Sequence, residues 1–337
     1  MNLNELLNKG KGLFVFSDPA GANSILAIID FLKKNNKIHG IDFLIFTNKI
    51  GVFDKEYNEI VETIEFNDEF VNRIYNDFNP DYLFSATSNN DFEHLWRRNL
   101  IGKIKIYSFI DHWTNYIERF SFAGDIIFGD YILVIDKVAK EEAVSAGIPK
   151  NIIRILENPY YHKVRKFKPT QSKNLFFKKH GLSINKLTIL FISDNLSVTY
   201  PKNGNTWLGY DEYTVLSDLL ACFENINARL NSNFQLVIKI HPKAKKDKFD
   251  FILKKVNFEN LDIISIRDCD PLLINYYSDY VIGMHSNMII ESFILRKKIL
   301  RVQTGQLFED LLKFYPLKNK VIKFNHELNT QLHRFLQ

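Results

Sequence analysis

The sequence predicts an α/β protein of two domains, each built on a parallel sheet covered by helices. Its 337 residues exceed the usual size of a single hydrophobic core. Hydrophobic residues make up 46% of the chain, which is ample for two cores. Short apolar runs alternate with helical patterns in both halves, and this alternation is typical of strand–helix–strand units with parallel strands.

The predicted strands are short apolar runs bounded by polar or turn-forming residues. Those of the first half are Leu13–Ser17, Asp42–Thr47, Ile60–Phe66, Tyr82–Ala86, Ile104–Ile110 and Tyr131–Ile135. Those of the second half are Thr188–Ser193, Phe234–Ile240, Asp262–Ile266, Tyr280–Gly283 and Ile299–Gln303, with Val321–Phe324 as a further candidate. Helical patterns lie between most of these runs, so we expect one parallel sheet in each half.

A change in composition after Ile152–Glu157 predicts the domain boundary. Asn158 and Pro159 lead into a basic stretch of low periodicity that ends near Lys173. We therefore expect a first domain at residues 1–158, a second at 159–325 and a terminal helix at 326–337.

Composition narrows the cellular setting and the kinds of partner. No apolar run reaches the roughly eighteen residues that a membrane-spanning helix needs, and the first residues lack a signal-peptide pattern. We therefore expect a cytoplasmic protein. Cys222 and Cys269 offer neither a disulfide framework nor metal-ligand spacing. The net charge of +5 is modest, and we expect no nucleic-acid partner.

A run of four lysines is interpreted as the solvated start of a helix. The run comprises Lys243, Lys245, Lys246 and Lys248. The alternative is that these lysines steer an anionic ligand or touch the inner face of the cytoplasmic membrane.

A strand, a polar turn and a helix near the C-terminus predict a site for a nucleotide phosphate. The strand Tyr280–Met284 is followed by His285, and either Ser286 or Asn287 can cap the helix. The free N–H groups and the dipole of a helix start favour an anion. Glu291 lies about one helical turn after Asn287, so its carboxylate is placed to bind a ribose diol. The alternative is an ordinary capped helix.

A second strand ends abruptly at His241-Pro242. Proline cannot continue a ladder, so His241 lies at the carboxyl edge of the sheet, where ligands of open α/β sheets bind. Its imidazole can donate to a phosphate or deliver a proton to a leaving group. Lys239 lies on the same face of the strand and adds a cation there, unless it is a solvated edge residue. Local hydrogen bonding is the alternative for His241.

The loop after the strand Thr188–Ser193 lies on the cleft side of the second domain and is a further candidate for ligand contacts. It contains Ser193, Asp194 and Asn195, and the Gly- and Asn-containing segment Pro201–Gly209 follows it. The alternative is a structural turn, because Ser, Asp and Asn favour turns for local reasons.

The first predicted strand leads into a loop of small and polar residues. Gly21 and Ala22 permit close backbone approach at the helix start, Asn23 adds a polar group, and Asp18 lies at the strand tip. The loop lacks the G-x-G-x-x-G spacing of dinucleotide sites. It is either a place where a donor or acceptor approaches the helix or a simple tight turn.

The strand Ile104–Ile110 ends in Asp111 and His112, which are followed by Trp113 and Tyr116. Aromatic faces pack on the C–H surfaces of sugars, and carboxylates accept hydrogen bonds from sugar hydroxyls. The segment therefore predicts an acceptor-sugar site. The alternative makes Asp111 a helix cap and Trp113 a packing residue.

The strand ending in His-Pro, paired with a later Ser-containing turn before a Glu-bearing helix, resembles bacterial GT-B glycosyltransferases of surface-polysaccharide synthesis. Sialyl- and polysialyltransferases and their capsule-synthesis relatives share the pairing, and teichoic-acid glycerophosphotransferases look similar there. The resemblance covers mainly residues 188–305. It implies two Rossmann-like domains facing a cleft, an acceptor domain first and a nucleotide-sugar donor domain second, with the terminal helix packing back on the first.

The resemblance also implies roles for single residues. His241 and Ser286 would contact the nucleotide phosphate. Asp111 is similar in position to the second acid of the Asp/Glu-Asp/Glu-Gly motif of bacterial sialyltransferases, which is their general base. Here Ile110 and His112 replace the first acid and the glycine, so the base is either Asp111 or Asp18.

Together these features predict a metal-independent, inverting glycosyltransferase without a cofactor. It would move a sugar from a CMP-, CDP- or UDP-linked donor to a capsule or lipooligosaccharide acceptor. The sequence Asp268-Cys269-Asp270 is interpreted as a turn and helix cap rather than a metal site. The alternatives are a CDP-alditol glycerophosphotransferase-like enzyme, a UDP-sugar 2-epimerase with several acid/base residues, and a non-catalytic nucleotide-sugar-binding protein.

Overall fold

The computed structural model describes residues 10–34, 42–49, 53, 57–65, 67–88, 91–226, 233–258, 260–318 and 320–337. The chain divides into two compact units, Met1–Lys163 and Val164–Gln337. The boundary expected from the sequence, after residue 158, lies close to this division.

The first unit contains a parallel sheet with helices in its crossovers. Its strands are β1 (Gly12–Val15), β2 (Phe43–Thr47), β3 (Val61–Thr63), β4 (Tyr82–Ser85), β5 (Lys105–Ile110), β6 (Ser121–Phe122), β7 (Asp125–Ile126), β8 (Tyr131–Val134) and β9 (Ile153–Ile155). Its helices are α1 (Pro19–Lys34), α2 (Asp68–Phe78), α3 (Asp91–Leu100), α4 (Lys137–Ser145) and α5 (Pro159–Arg165), the last of which runs across the division into the second unit.

Among the described residues the order of this sheet is β3-β2-β1-β4-β5-β8-β9, while β6 and β7 form a separate antiparallel pair. The order reverses between β1 and β4. In open α/β sheets the loops at such a reversal leave the sheet in opposite directions and open a crevice at the carboxyl ends of the strands. We call this place the first switch point, made by the loops after β1, β4 and β5.

The second unit repeats this plan with fewer strands. Its strands are β10 (Leu187–Ile192), β11 (Phe234–Lys239), β12 (Leu261–Ile266), β13 (Tyr280–Gly283) and β14 (Lys298–Arg301). Its helices are α6 (Lys173–Lys179), α7 (Leu196–Thr199), α8 (Glu212–Ile226), α9 (Asp250–Leu253), α10 (Pro271–Tyr277), α11 (Asn287–Ile294) and α12 (Asn325–Leu336). The described order is β12-β11-β10-β13-β14, all parallel. The second switch point is made by the loops after β10, β11 and β13.

Two loops on the carboxyl side of the second sheet touch backbone to backbone through a pair of glycines. Gly209 and Gly305 both have positive φ, 90° and 88°. A Cβ on Gly209 would lie 1.9 Å from the carbonyl oxygen of Gly305, and a Cβ on Gly305 would lie 2.7 Å from the carbonyl oxygen of Gly209. The N–H of Leu307 donates to the carbonyl of Leu208 at 2.9 Å. Only glycine satisfies both the dihedral angle and the spacing.

The terminal helix α12 contributes leucines to the core of the second unit. Leu328, Leu332 and Leu336, spaced four residues apart, are buried in the same core cluster as residues of α8 and of the second sheet. This spacing puts them on one face of a helix. The apolar face of this helix therefore completes the core of the second unit, and its packing on the first domain stays a prediction.

The predicted α/β class with two parallel sheets is confirmed, with strand ends shifted by one to three residues. Of the candidate Val321–Phe324, only Ile322 forms a bridge, to Val302. Phe66, the end of another predicted strand, lies outside the described residues. The patterns give no prediction of β9 or of the β6–β7 pair. Among the described residues, no helix is both long enough and apolar enough to cross a bilayer.

Candidate functional site

The second switch point brings together the loops after β10 and β13. Ser286 is the residue that caps α11, since its Oγ accepts the N–H of Met288 at 3.4 Å. Asn287 is the first residue of the helix. The N–H of His285 donates to Asp194 Oδ2 at 3.5 Å, so the two loops contact each other. The free N–H groups of the first turn of α11 lie beside this contact, in the arrangement that binds anions.

Asp194 and His285 are held by further contacts within the second unit. Ser193 Oγ donates to the carbonyl oxygen of Asp194 at 3.0 Å. His285 Nδ1 lies 3.4 Å from the hydroxyl of Tyr210. Burial raises the pKa of Asp194, and the nearby His285 and Ser286 oppose that shift. Burial lowers the pKa of His285, which keeps its ring neutral. The predicted residues of these two loops are therefore brought together.

His241 follows β11 and is held as a neutral hydrogen-bond donor. Its Nδ1 accepts the backbone N–H of Lys243 at 3.2 Å, so the hydrogen of the neutral ring is on Nε2. Burial, together with the charges of Lys243, Lys248 and Lys239, lowers the pKa of His241 to about 4. Pro242 is exposed and serves to end the strand. At neutral pH His241 is thus suited to donate to a phosphate oxygen from Nε2.

Lys239 is used inside the protein. Its side chain is buried, and its Nζ donates to the carbonyl oxygens of Ile240 at 3.1 Å and Arg267 at 2.8 Å. These bonds tie the ends of β11 and β12 together. The predicted contact of Lys239 with a nucleotide is therefore corrected to a structural contact, because its ammonium group already binds two carbonyl groups.

The interpretation of the lysine run as a solvated helix start is wrong for Lys248. Its Nζ donates to Glu212 Oε1 at 2.5 Å, and both side chains are buried. It also lies 3.4 Å from the carbonyl oxygen of Asp194 and from Asn195 Oδ1. Glu212 accepts the backbone N–H groups of Leu196 and Ser197 at 2.8 and 3.1 Å. This buried ion pair fixes the loop after β10.

Glu291 lies on α11, as predicted, and is buried. Its Oε2 has no hydrogen-bond partner among the described residues. Burial and the charge of Asp270 raise the pKa of Glu291 to about 7, against the effect of a hydrogen bond from Asn275. A buried carboxyl oxygen without a partner is suited to receive a ligand hydroxyl. Its role with a ribose stays a prediction.

The Asp268-Cys269-Asp270 segment forms a turn and a cap. Asp268 pairs with Arg267 and Lys246, each at 2.7 Å. Asp270 Oδ1 accepts the N–H groups of Leu272 and Leu273, the first turn of α10. Within the described part of the chain, no group of three or more His, Cys, Asp or Glu residues is arranged to hold a metal ion.

At the first switch point, Asp18 and Gly21 shape the loop after β1. Asp18 Oδ1 accepts the N–H of Gly21 at 2.7 Å and so caps α1. A Cβ on Gly21 would lie 2.6 Å from the Cβ of Ala86, in the loop after β4. Ala22 is buried and Asn23 is half-buried. The small residues therefore serve a tight turn at which the loops after β1 and β4 approach each other.

Asp111 follows β5 and is buried beside Arg119, whose Nη1 lies 3.2 Å from Asp111 Oδ1. The same guanidinium donates to the carbonyl oxygens of Thr87 and Thr114, so it joins the loops after β4 and β5. Burial raises the pKa of Asp111, Arg119 opposes this, and the charge of Asp18 adds to it. The two predicted acids, Asp18 and Asp111, therefore lie close enough to influence each other.

Glu93, on α3, is a third acid at the first switch point, and sequence reasoning missed it. It is 0% exposed, and its carboxyl oxygens lie 2.8 Å from the hydroxyl of Ser17 and 2.7 Å from that of Ser88. Burial and the charge of Asp18 raise its pKa. The signal available in the sequence is its position on the apolar face of α3, one residue after Phe92 and three before Trp96. A carboxyl group on such a face needs a specific partner.

The predicted acceptor platform is corrected. Trp113 is 3% exposed and its Nε1 donates to Asp136, the cap of α4, at 2.9 Å. Tyr116 is 7% exposed and its hydroxyl donates to Glu142 at 2.9 Å. Both rings pack inside the first unit, so neither presents a face to a sugar. His112 is half-buried, with Nδ1 3.3 Å from Thr114 Oγ1.

No protein-family model and no curated protein sequence matches this chain. Solved structures match it over nearly its whole length. A putative UDP-N-acetylglucosamine 2-epimerase from Listeria monocytogenes is 12% identical with a TM-score of 0.68, and the match covers 98% of this chain and 88% of that one. The UDP-GlcNAc 2-epimerase from Neisseria meningitidis bound to UDP-GlcNAc is 14% identical with a TM-score of 0.64, covering 96% and 91%. HepE from Anabaena in complex with UDP-glucose is 11% identical with a TM-score of 0.62, covering 97% and 90%.

These likenesses establish the fold class, with two Rossmann-like domains of the GT-B type. They also overturn the prediction of a glycosyltransferase, and with it the capsule or lipooligosaccharide acceptor. The similar structures include several UDP-GlcNAc 2-epimerases, which are not glycosyltransferases. Their fold is the one that glycosyltransferases of the GT-B type share, and this is the part of the sequence resemblance that holds.

Proposed function

We propose that this protein is a UDP-sugar 2-epimerase, which inverts the configuration at C2 of the sugar. The observation that carries the proposal is the gathering of Asp18, Glu93 and Asp111 at the first switch point. The names of the similar structures support the same reaction. A 2-epimerase needs no acceptor. The side chains of Trp113 and Tyr116, which the sequence predicts as the acceptor site, are buried.

The chemistry explains why several acids matter. To invert a carbon that bears hydrogen, an enzyme removes the proton from one face and returns a proton to the other, so two proton-carrying groups are needed. Asp111 is our candidate for the base, because the adjacent Arg119 favours its carboxylate form. The proposal includes no cofactor.

In this proposal the second switch point binds the nucleotide. The diphosphate would accept hydrogen bonds from His241 Nε2 and from the backbone N–H groups that follow Ser286. Glu291 would accept a hydrogen bond from a ribose hydroxyl, since its Oε2 is buried without a partner among the described residues. These contacts would hold the substrate without assistance from a metal ion.

The test is to incubate the protein with UDP-GlcNAc in D2O and to follow the sugar by NMR. We expect deuterium at C2 and the appearance of the C2 epimer. Asp111→Asn should lower the rate by about two orders of magnitude or more, the range for a lost general base. UDP binding, measured by calorimetry, should be unchanged in that variant.

Two results would contradict the proposal. One is binding of UDP-GlcNAc without exchange or inversion at C2, which would instead indicate a non-catalytic binding protein. The other is a fully active Asp111→Asn protein. Other UDP-sugars are run in the same assay. Inversion of one of these would mean that the reaction is right and only the choice of sugar is wrong.

A further inference from the structure

Glu93, Ser17 and Ser88 form a closed ring of three polar side chains at the first switch point. Ser17 Oγ lies 2.8 Å from Ser88 Oγ and 2.8 Å from Glu93 Oε1. Ser88 Oγ lies 2.7 Å from Glu93 Oε2. Each pair of neighbours in the ring is therefore at the distance of an O–H···O hydrogen bond.

The number of hydrogen atoms decides the charge of this ring. Ser17 Oγ also lies 2.9 Å from Glu93 Oε2, so one hydrogen can serve both of its contacts with Glu93. A carboxylate with two hydroxyl groups has two hydrogens, which leaves one of the three pairs of side chains without a hydrogen between its oxygens. A carboxylic acid supplies the third. Glu93 then donates to one serine, that serine donates to the other, and the second serine donates back to the carboxyl group. The closed ring is thus complete only when Glu93 is protonated.

The surroundings of Glu93 favour the same form. Its side chain is 0% exposed, and an ionised carboxyl group is costly in such a place. Arg97 lies one turn further along α3, but its guanidinium donates to Ser85 Oγ and to the carbonyl oxygen of Arg119. Burial raises the pKa of Glu93, the charge of Asp18 in the loop after β1 adds to this, and the hydrogen bonds with Ser88 and Ser17 oppose it.

We propose that Glu93 holds the proton that is returned to C2 of the sugar and delivers it through Ser88. The inference rests on the proposed epimerase function. Ser88 is the outlet because it keeps 7% of its surface exposed, whereas Ser17 and Glu93 are 0% exposed. Glu93 does not touch the substrate, so it is a positioning and relay residue.

The step balances as two coupled proton transfers. As Asp111 removes the C2 proton, the C1–O bond to UDP breaks, and the electron pair of the former C2–H bond forms a C1=C2 double bond while UDP leaves with the pair of the C1–O bond. When the UDP oxygen bonds to C1 again, the electron pair of the double bond takes the hydroxyl proton of Ser88, which forms the new C–H bond at C2. The Ser88 oxygen takes the carboxyl proton of Glu93, which becomes a carboxylate. Solvent then returns a proton to Glu93, and Asp111 releases its own to solvent.

Glu93→Gln tests this relay, because the amide can donate and accept within the ring but cannot release a proton. We expect a melting temperature no lower than that of wild type and at least a hundredfold loss of C2 inversion. C2 exchange of UDP-GlcNAc in D2O should persist, since Asp111 can return a deuteron to the face from which it took the proton. Asp91→Asn, an exposed acid on the same helix, is the matched control and should behave as wild type.

Infrared difference spectra between wild type and Glu93→Gln at neutral pH report the charge directly. We expect the C=O stretch of a protonated carboxyl group to be lost in the variant. Loss of carboxylate bands instead, or a Glu93→Gln protein that fails to fold, would mean that the ring needs the ionised form and would overturn the inference.

The outcomes separate this inference from the proposed function. If wild type neither exchanges nor inverts C2, the epimerase proposal fails and the relay fails with it. If wild type inverts C2 and Glu93→Gln inverts it at the same rate, only the relay is wrong. Ser88→Ala is the second variant, and it should lose inversion while the infrared band of protonated Glu93 remains.

Discussion

Each switch point contains a glutamate that is 0% exposed, yet the pKa values of the two carboxyl groups are shifted in opposite directions. Glu93 in the first unit is surrounded by two hydroxyl groups, and burial raises its pKa. For Glu212 in the second unit, burial acts in the same direction but is outweighed by Lys248 and Ser197, so its pKa is lowered. The side chains that contact each glutamate, rather than its depth of burial, therefore set the direction of its pKa shift.

This difference matches the work that we propose for each unit. A neutral acid can give a proton away, so it suits a place where a proton is transferred. A carboxylate in a buried ion pair has no proton to give, but the pair fixes the positions of the residues around it. Lys248 reaches from Glu212 to the carbonyl oxygen of Asp194, which in turn contacts the turn at His285. In the proposed function the second switch point binds the nucleotide and the first carries the proton transfers.

Lys248→Met should have the largest effect on stability. It leaves the carboxylate of Glu212 buried without its cation, which typically costs about 3–5 kcal/mol of unfolding free energy. Urea unfolding followed by circular dichroism measures the loss. Lys246→Met is the matched control, because this lysine lies on the same segment with 70% of its side chain exposed, and its loss should cost no more than about 0.5 kcal/mol.

A double variant sharpens that result. Replacing both members, Lys248→Met with Glu212→Leu, removes the pair without leaving a lone charge, so most of the lost stability should return. Equal costs for the single variants Lys248→Met and Lys246→Met would show that the pair does not stabilise the second unit.

His241→Ala should weaken UDP binding and leave the fold intact. A hydrogen bond to a charged group contributes about 1.5–3 kcal/mol, which corresponds to roughly a ten- to hundredfold rise in Kd. Calorimetry with UDP measures it. Because we propose that the nucleotide binds at the second switch point, Glu93→Gln should bind UDP like wild type. A similar loss of UDP affinity in both variants would contradict that division.

The smallest expected effect is on the pH dependence of stability, to which Glu93 and Glu212 should contribute with opposite signs. The pKa of Glu93 is raised above 4.5, so its contribution to stability is complete below pH 4.5 and is lost as the pH rises through the folded pKa. The pKa of Glu212 is lowered from 4.5, so its contribution is present above pH 4.5 and is lost as the pH falls through the folded pKa.

Urea midpoints across a range of pH values test this sign difference. Relative to wild type, Glu93→Gln should gain stability as the pH rises above 4.5, whereas the deficit of Glu212→Gln should shrink as the pH falls below 4.5. Profiles that run parallel for the two variants would mean that the two carboxyl groups share one charge state.

The sequence predicts the sheets and the strand-end loops well because those signals are local. The strand Tyr280–Gly283 and the cap Ser286 lie within a few residues of each other, and the structure has both. The partners that set the charges are not local. Ser17 and Glu93 are 76 residues apart, and Lys248 and Glu212 are 36 apart. Only the folded sheet brings such pairs together, so no spacing in the sequence indicates them.

The same reason accounts for the error in function. The His-Pro strand end and the Ser-containing turn describe the expected nucleotide half of a site, and that half is compatible with several reactions. In the proposed function the reaction depends on the first unit, where the sequence of Trp113 and Tyr116 predicts a surface for a sugar. Their polar atoms bind Asp136 and Glu142 instead. Aromatic residues after a strand indicate a ligand only if their faces stay exposed.

The paired glycines of the second unit restrict how this protein can diversify. Any side chain on Gly209 would collide with the carbonyl oxygen of Gly305, and any side chain on Gly305 would collide with the carbonyl oxygen of Gly209. A substitution at either position fails while the opposite loop keeps its path, so the two loops can change course only together. Libraries of single substitutions would therefore report both positions as immutable, and new loop shapes near the second switch point should be sought by replacing both segments at once.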